Sequence, residues 1–437
     1  MLTAEKELDF LLKEAALRGK KAAERYPEQR FFGYLCSYYP EELILAAGLE
    51  PLRLLPGSGP ATPAELPSYC CSLARGTLAE AKKGKSGLVG VGMAHTCDTM
   101  QCLDGIWADC FGRENVLPIV PPVLLNAPGG LRYYQSEMEA LSAKLVRLSE
   151  VQKSGQDRSS EPKNNHGVER EDAENEGNRF ESEGEGDGER EGERALERAW
   201  QVCTRARQLA AELDELRSRL PSPLVSALLR AGQLLPKERF ITALETVLPL
   251  LHTKARENSG RYRVLVSGAV LESDSLFQMV EDLNGRVVAD DTCTGYRHYA
   301  QNTVEGSSVR IAEEESKDAG NPRNLDDSKD DENLRDSQYK IINQIVQRYV
   351  NMPPCPCRSQ GLEKRLDYLE ALALERGAQA AILVIRKYCE PHAWDSVPLR
   401  ERLEAKGIRT LVLELEASEL GGQERTRLQA FLESLGN

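Results

Sequence analysis

Two doubly wound parallel α/β domains joined by a helical segment are what this 437-residue chain predicts, on three observations. Short apolar runs of buried-strand length alternate with amphipathic helical stretches. The alternation comes as two series, one on each side of a long helical middle. Two acidic, apolar-poor stretches interrupt this pattern without ending it.

In order along the chain, residues 1–30 alternate charge with Leu and Ala at helical spacing and predict an N-terminal helix. Residues 31–130 form the first α/β domain. There "PEELILAAG" is a short helix closed by Gly48, and "LEPLRLLPG" is a strand ending in a turn. "CSLARGTLAEAKKG" is helical, "SGLVGVGMAHTCD" is a buried strand and "NVLPIVPPVLL" another strand. Residues 131–260 are the helical segment, with a mobile acidic insertion at about 151–194. Residues 261–437 are the second α/β domain, with a second insertion at about 303–338. Its strands are "RYRVLVSGAVL", "RVVADDTC", "AQAAILVIRKYC" and "IRTLVLELE", with helices between them and a final helix from Gln423. Rossmann- or flavodoxin-like domains are the expected form.

The net charge of −13 sits in the insertions, 151–194 carrying −7 and 303–338 carrying −6. The rest is balanced, which leaves no basic footprint for nucleic acid or an anionic membrane. No apolar run reaches the roughly 18 to 20 residues of a membrane span, and the start has no signal-peptide core, so a soluble cytoplasmic protein is expected. "GVGMAH" lacks the third glycine of a dinucleotide fingerprint and no G-x-x-x-x-G-K-[ST] occurs, so ATP, if used, is handled by a partner.

Eleven cysteines are many for a reducing compartment. Cys97, Cys293 and Cys389 each follow an apolar run by a few residues, which puts them on the rim where open parallel sheets bind ligands. Cys70 and Cys71 begin a helix, where the dipole and free N–H groups favour thiolate. Cys355 and Cys357, in "NMPPCPCRSQG", are held by prolines on a loop before another helix. Zinc knuckles and ferredoxin spacing are both missing. Spacing alone leaves open an iron–sulfur cluster or a set of unmetallated thiols. Cys36, just ahead of a helix, is placed either on the cleft or in packing, with packing favoured, and Cys102, Cys110 and Cys203 read as core or surface thiols. Asp98 reads as a helix cap, and Glu41, Glu42 and Glu390 as solvated carboxylates.

The stretches "YYPEELILAAGLEPLRL", "YCCSLARGTL", "MAHTCDTMQCLDG", "VVADDTCTGYR" and "VIRKYCEPHAWD" together resemble the 2-hydroxyacyl-CoA dehydratase D-component superfamily, which includes benzoyl-CoA reductase subunits and double-cubane cluster proteins. The resemblance spans most of residues 30–437 outside the insertions. It implies flavodoxin-like domains around a cluster in the interdomain cleft, reduced by a separate ATP-hydrolysing iron–sulfur activase. A dehydratase-type [4Fe–4S] cluster would match Cys70 or Cys71, Cys97 and Cys389. The doubled "CC" looks more like the double-cubane branch, whose [8Fe–9S] cluster needs six cysteines. Cys70, Cys71 and Cys97 would come from the first domain, and Cys293, Cys389 and one of Cys355 or Cys357 from the second. A homodimer is also expected by resemblance.

The function that follows is an oxidoreductase passing low-potential electrons to a small substrate. The alternatives are a lyase, as a 2-hydroxyacyl-CoA dehydratase or benzoyl-CoA reductase type subunit, and a cluster carrier or redox sensor. His95 and His392 flank Cys97 and Cys389 and are candidate catalytic donors of a proton or hydrogen bond. A structural role is the commoner one for a lone histidine. Arg386, Lys387 and Arg297 are the cations that a coenzyme A diphosphate would need.

Overall fold

The computed structural model describes the chain except residues 1, 18, 58, 84–86, 124–127, 161–184, 257–260, 301–328, 358–360, 418 and 437; of the helical residues 19–20, 23, 152–160, 185–189 and 329–336 it describes the backbone alone. The central parts of both acidic insertions thus lie outside the described residues.

Two four-stranded sheets, each wholly parallel, carry the fold. The first contains β1 (Phe31–Tyr34), β2 (Glu50–Arg53), β3 (Leu88–Ala94) and β4 (Val116–Ile119), in the order β2-β1-β3-β4. The second contains β5 (Tyr262–Gly268), β6 (Gly285–Asp291), β7 (Ala380–Arg386) and β8 (Arg409–Leu415), in the order β6-β5-β7-β8. Both orders are flavodoxin-like, with the chain reversing direction across the sheet between β1 and β3 and again between β5 and β7. β1 has no counterpart among the strands expected from the sequence. Its register is secure all the same, because Gly33 and Tyr34 pair with Leu52 and Arg53 on one side and with Val91 and Gly92 on the other. Pro118 is tolerated because β4 is an edge strand.

Alternation along β1 sends Phe31 and Phe32 to opposite faces and so into two different cores. Phe32 and Tyr34 pack with α3 (Glu41–Ala46), α6 (Gly130–Ser160) and α11 (Lys329–Val350), through Leu43, Met138 and Ile345. Phe31, Val91 and Met93 pack with α4 (Ser72–Lys82) and α5 (Asp98–Phe111), through Leu78, Leu103 and Trp107. A Cβ at Gly92 would collide with the ring of Tyr39, so this strand needs glycine there. The second sheet is covered by α10 (Ser275–Asp282) and α14 (Gly422–Ser434) on one face, and by α12 (Leu362–Glu375) and α13 (Glu390–Glu404) on the other.

The N-terminal region is two helices, α1 (Leu2–Glu14) and α2 (Gly19–Arg25), not one. Leu11 of α1 joins a separate helical core built by α7 (Glu185–Glu215), α8 (Ser222–Ala231) and α9 (Lys237–Lys254). Backbone helix also runs into the expected insertions, through Ser160, from Glu185 and from Lys329. Among the described residues no helix is long and apolar enough to cross a membrane.

Candidate functional site

Three cysteines hold equivalent places. Cys71, Cys97 and Cys389 are the N-cap residues of α4, α5 and α13. Cys97 and Cys389 follow the carboxyl ends of β3 and β7 by a few residues, and all three lie where helix N–H groups are free and the dipole is positive. None closes a formed capping hydrogen bond, and Asp98 is the first residue of α5, not its cap. The N–H groups of Leu73 and Ala74 nevertheless face Cys71, those of Thr99 and Met100 face Cys97, and that of His392 faces Cys389.

All three line one cavity of about 520 Å³ between the sheets, together with Cys70, Cys293 and Cys357. Cys36 lines it too. Its Sγ lies 3.6 Å from Thr96 Oγ1, and burial pushes its thiol up to about 11. Cys355 does not line the cavity. It is hydrogen-bonded to Cys357, which in turn bonds Cys97. Cys71 and Cys389, from different sheets, form another hydrogen-bonded pair. That bond, the facing N–H groups and Arg386 bring Cys71 down to about 6 against its burial, while Cys389 is raised as the protonated partner. Cys355 also falls to about 6, through its bond from Cys357 and the nearby Arg297 and Arg365.

His392 lines the cavity with Nδ1 3.3 Å from Cys389 Sγ, and burial, with Arg297 and Arg365 adding to it, pushes the ring down to about 3. His95 is turned elsewhere. Its Nε2 faces Asp104 at 3.6 Å and it is not part of the cavity wall.

The walls are tied across the interface. Ser72 N–H donates to Lys387 O at 3.0 Å, and Arg75 reaches from Cys70 O (2.9 Å) to Glu416 (2.5 Å). Arg365 fixes the cysteine loop by donating to Pro354 O (2.7 Å), Asp291 (2.8 Å) and Asp395 (3.1 Å). Tyr388 adopts a left-handed φ of 63°, a conformation costly for a non-glycine residue, in the turn that delivers Cys389.

Several sequence expectations change in this light. Arg386 is buried against Glu272 at 2.8 Å, and Arg297 against Asp291 at 3.2 Å with Nη2 donating to Cys293 Sγ at 3.0 Å, so neither guanidinium is free for a diphosphate. Glu41 and Glu42 are buried partners of Lys237 and Arg207, not solvated carboxylates. Cys203 is core, whereas Cys36 takes the less favoured of its two expected places and lines the cavity, as does Arg53, which no sequence pattern singled out. Cys36 follows the end of β1 as Cys97 follows β3, and that signal was hidden by the unrecognised strand. Among the described residues, no three His, Cys, Asp or Glu side chains converge closely enough to hold a single metal ion.

The family model for the 2-hydroxyglutaryl-CoA dehydratase D-component matches residues 36–157, 187–318 and 320–435. The chain is 20% identical to the (R)-phenyllactyl-CoA dehydratase beta subunit of Clostridium sporogenes, over 93% of this chain and 92% of that one. It is 22% identical to the lactoyl-CoA dehydratase subunit beta of Anaerotignum propionicum, over 97% of each. With a benzoyl-CoA reductase subunit of Thauera aromatica it shares 25% identity over 68% of each. With its two flavodoxin-like sheets and a match that spans most of its length, the chain belongs to the 2-hydroxyglutaryl-CoA dehydratase D-component family.

Proposed function

We propose that this chain is the iron–sulfur component of a two-component reductase. It would hold a double-cubane [8Fe–9S] cluster between its sheets, receive low-potential electrons from an ATP-hydrolysing iron–sulfur activase and reduce a small substrate, working as a homodimer. The observation that carries this is the meeting of Cys70, Cys71 and Cys97 with Cys293, Cys357 and Cys389 on one cavity, three from each side.

The donor set fits such a group. These six cysteine thiols line one cavity, and thiolate sulfur is the ligand that iron–sulfur clusters take. Helix N-termini at Cys71, Cys97 and Cys389 favour a negatively charged core. Cys357 is favoured over Cys355 as the sixth ligand because it lines the cavity, with Cys355 behind it.

When bound, the cluster supplies one-electron transfer at negative potential. The protein's own groups tune and enclose that site. Arg297 Nη2 withdraws charge from Cys293 Sγ, Arg365 holds the Cys355–Cys357 loop, and neutral His392 stands against Cys389 as the candidate donor. His95, facing Asp104, is the weaker candidate. Tyr69 and Trp394, both well exposed, stand at the mouth where substrate or activase would approach.

The relatives' names favour a second reading, a [4Fe–4S] dehydratase subunit using Cys71, Cys97 and Cys389 on a 2-hydroxyacyl-CoA. Against it, Arg386 and Arg297 are already paired with buried carboxylates, and Lys387 stands 3.5 Å from Glu416. Anaerobic purification with iron and sulfide determination separates the two: about eight irons per chain supports the double cubane and about four the dehydratase site. None, after strict oxygen exclusion, sinks both.

A further inference from the structure

Five arginines have almost no exposed surface, namely Arg53, Arg217, Arg297, Arg365 and Arg386. Four of them face a carboxylate: Arg217 meets Asp214 at 2.6 Å, Arg297 and Arg365 share Asp291, and Arg386 meets Glu272. Arg53, the last residue of β2 and part of the cavity wall, is the exception. Its Nη1 donates to Ser37 Oγ at 3.1 Å, and its guanidinium carbon stands 5.3 Å from the ring centre of Tyr34. Nε is buried without a hydrogen-bond partner; among the described residues Nη2 makes no hydrogen bond to protein and no carboxylate lies within ion-pair distance.

A buried charge without a counter-charge is among the costliest features a fold can carry, and here it opens on the cysteine-lined cavity. Of the two nitrogens left over, Nε is sealed from the cavity, and Nη2 is the donor left to meet a carboxylate or another small oxyanion. We propose that Arg53 is an anion-binding residue of this cavity and that the ligand it takes there is a small oxyanion of the carboxylate class. The anion preference rests on Arg53 alone and goes beyond the reading under Proposed function. The other source of negative charge at this place is the inorganic core itself.

The test uses the full-length chain, reconstituted anaerobically with iron and sulfide, titrated with acetate and with its neutral isostere acetamide while cluster absorption is followed. Acetate is expected to bind at least about tenfold tighter, with the preference lost in Arg53→Gln and partly kept in Arg53→Lys. Thermal unfolding of both variants establishes that they fold. Equal binding of the two probes, or a preference that survives Arg53→Gln, overturns the proposal. So does a fall in iron and sulfide in Arg53→Gln with the preference intact, which assigns the guanidinium to the core. If no cluster forms at all, the cluster reading fails on its own. The anion preference is then read on the metal-free chain from alkylation of Cys36 by iodoacetate relative to iodoacetamide. A ratio that falls about fivefold or more in Arg53→Gln supports Arg53 as an anion site, and an unchanged ratio overturns it.

Discussion

Replacing Asp291 by Asn removes the counter-charge at the centre of the second sheet's carboxyl end. Asp291 is wholly buried, and a single oxygen, Oδ2, accepts from Ser267 Oγ (2.7 Å), Arg297 Nη1 (3.2 Å) and Arg365 Nη1 (2.8 Å). The amide oxygen of Asn can take the same place, so the three hydrogen bonds persist while the charge is lost, and the amide nitrogen replaces Oδ1, which is buried without a partner. Arg365 keeps Asp395 at 3.1 Å, but Arg297 is left with the carbonyl of Gly268 and the sulfur of Cys293. One buried cation is therefore stranded, and the expected loss is about 3–5 kcal/mol, not twice that. Urea unfolding of the full-length chain under anaerobic conditions measures it, as a lower midpoint with an unchanged slope. Asp395→Asn, which leaves Arg365 paired with Asp291, serves as the control and should cost less than half as much. A loss under about 1 kcal/mol would refute the account of this network as a buried charge balance.

Two further outcomes are expected. Burial lowers His298 from 6.5 to about 4 despite the neighbouring Glu41, so the unfolded chain takes up the proton first as pH falls. Its stabilising contribution, on the order of 3 kcal/mol, is complete above pH 6.5 and lost between 6.5 and 4. His298→Gln should flatten unfolding stability across that window; Glu41, whose pKa is lowered from 4.5 chiefly by Lys237 and His298 against its burial, acts only at lower pH. Iron content should fall by about half or more in Cys71→Ala, Cys97→Ala and Cys389→Ala. In Cys203→Ala, far inside the helical layer beside Glu42, iron should be unchanged and stability lower by about 1 kcal/mol.

The strands and the cysteine rim could be read from the chain because both depend on local order. An apolar run such as "AAILVIR" is a buried strand wherever it sits, and a cysteine a few residues beyond it must emerge near the strand's carboxyl end. The same reasoning failed at "FFGY", four residues too few to show a period, and without that strand packing outweighed the cleft position for Cys36. Pairings between distant residues were not readable at all. Nothing in the chain marks Arg386 as the partner of Glu272, Arg297 as the donor to Cys293, or Glu41 and Glu42 as buried, because each depends on which segments meet after folding. α11 shows this most plainly: it follows the second sheet's β6 in sequence, yet packs Ile345 and Val346 under the first sheet. Strand type and thiol position follow from neighbours in the chain. Which thiols face each other, which cations are already neutralised, and that Arg53 makes no ion pair among the described residues follow from burial, and that is set only when the two sheets close on each other.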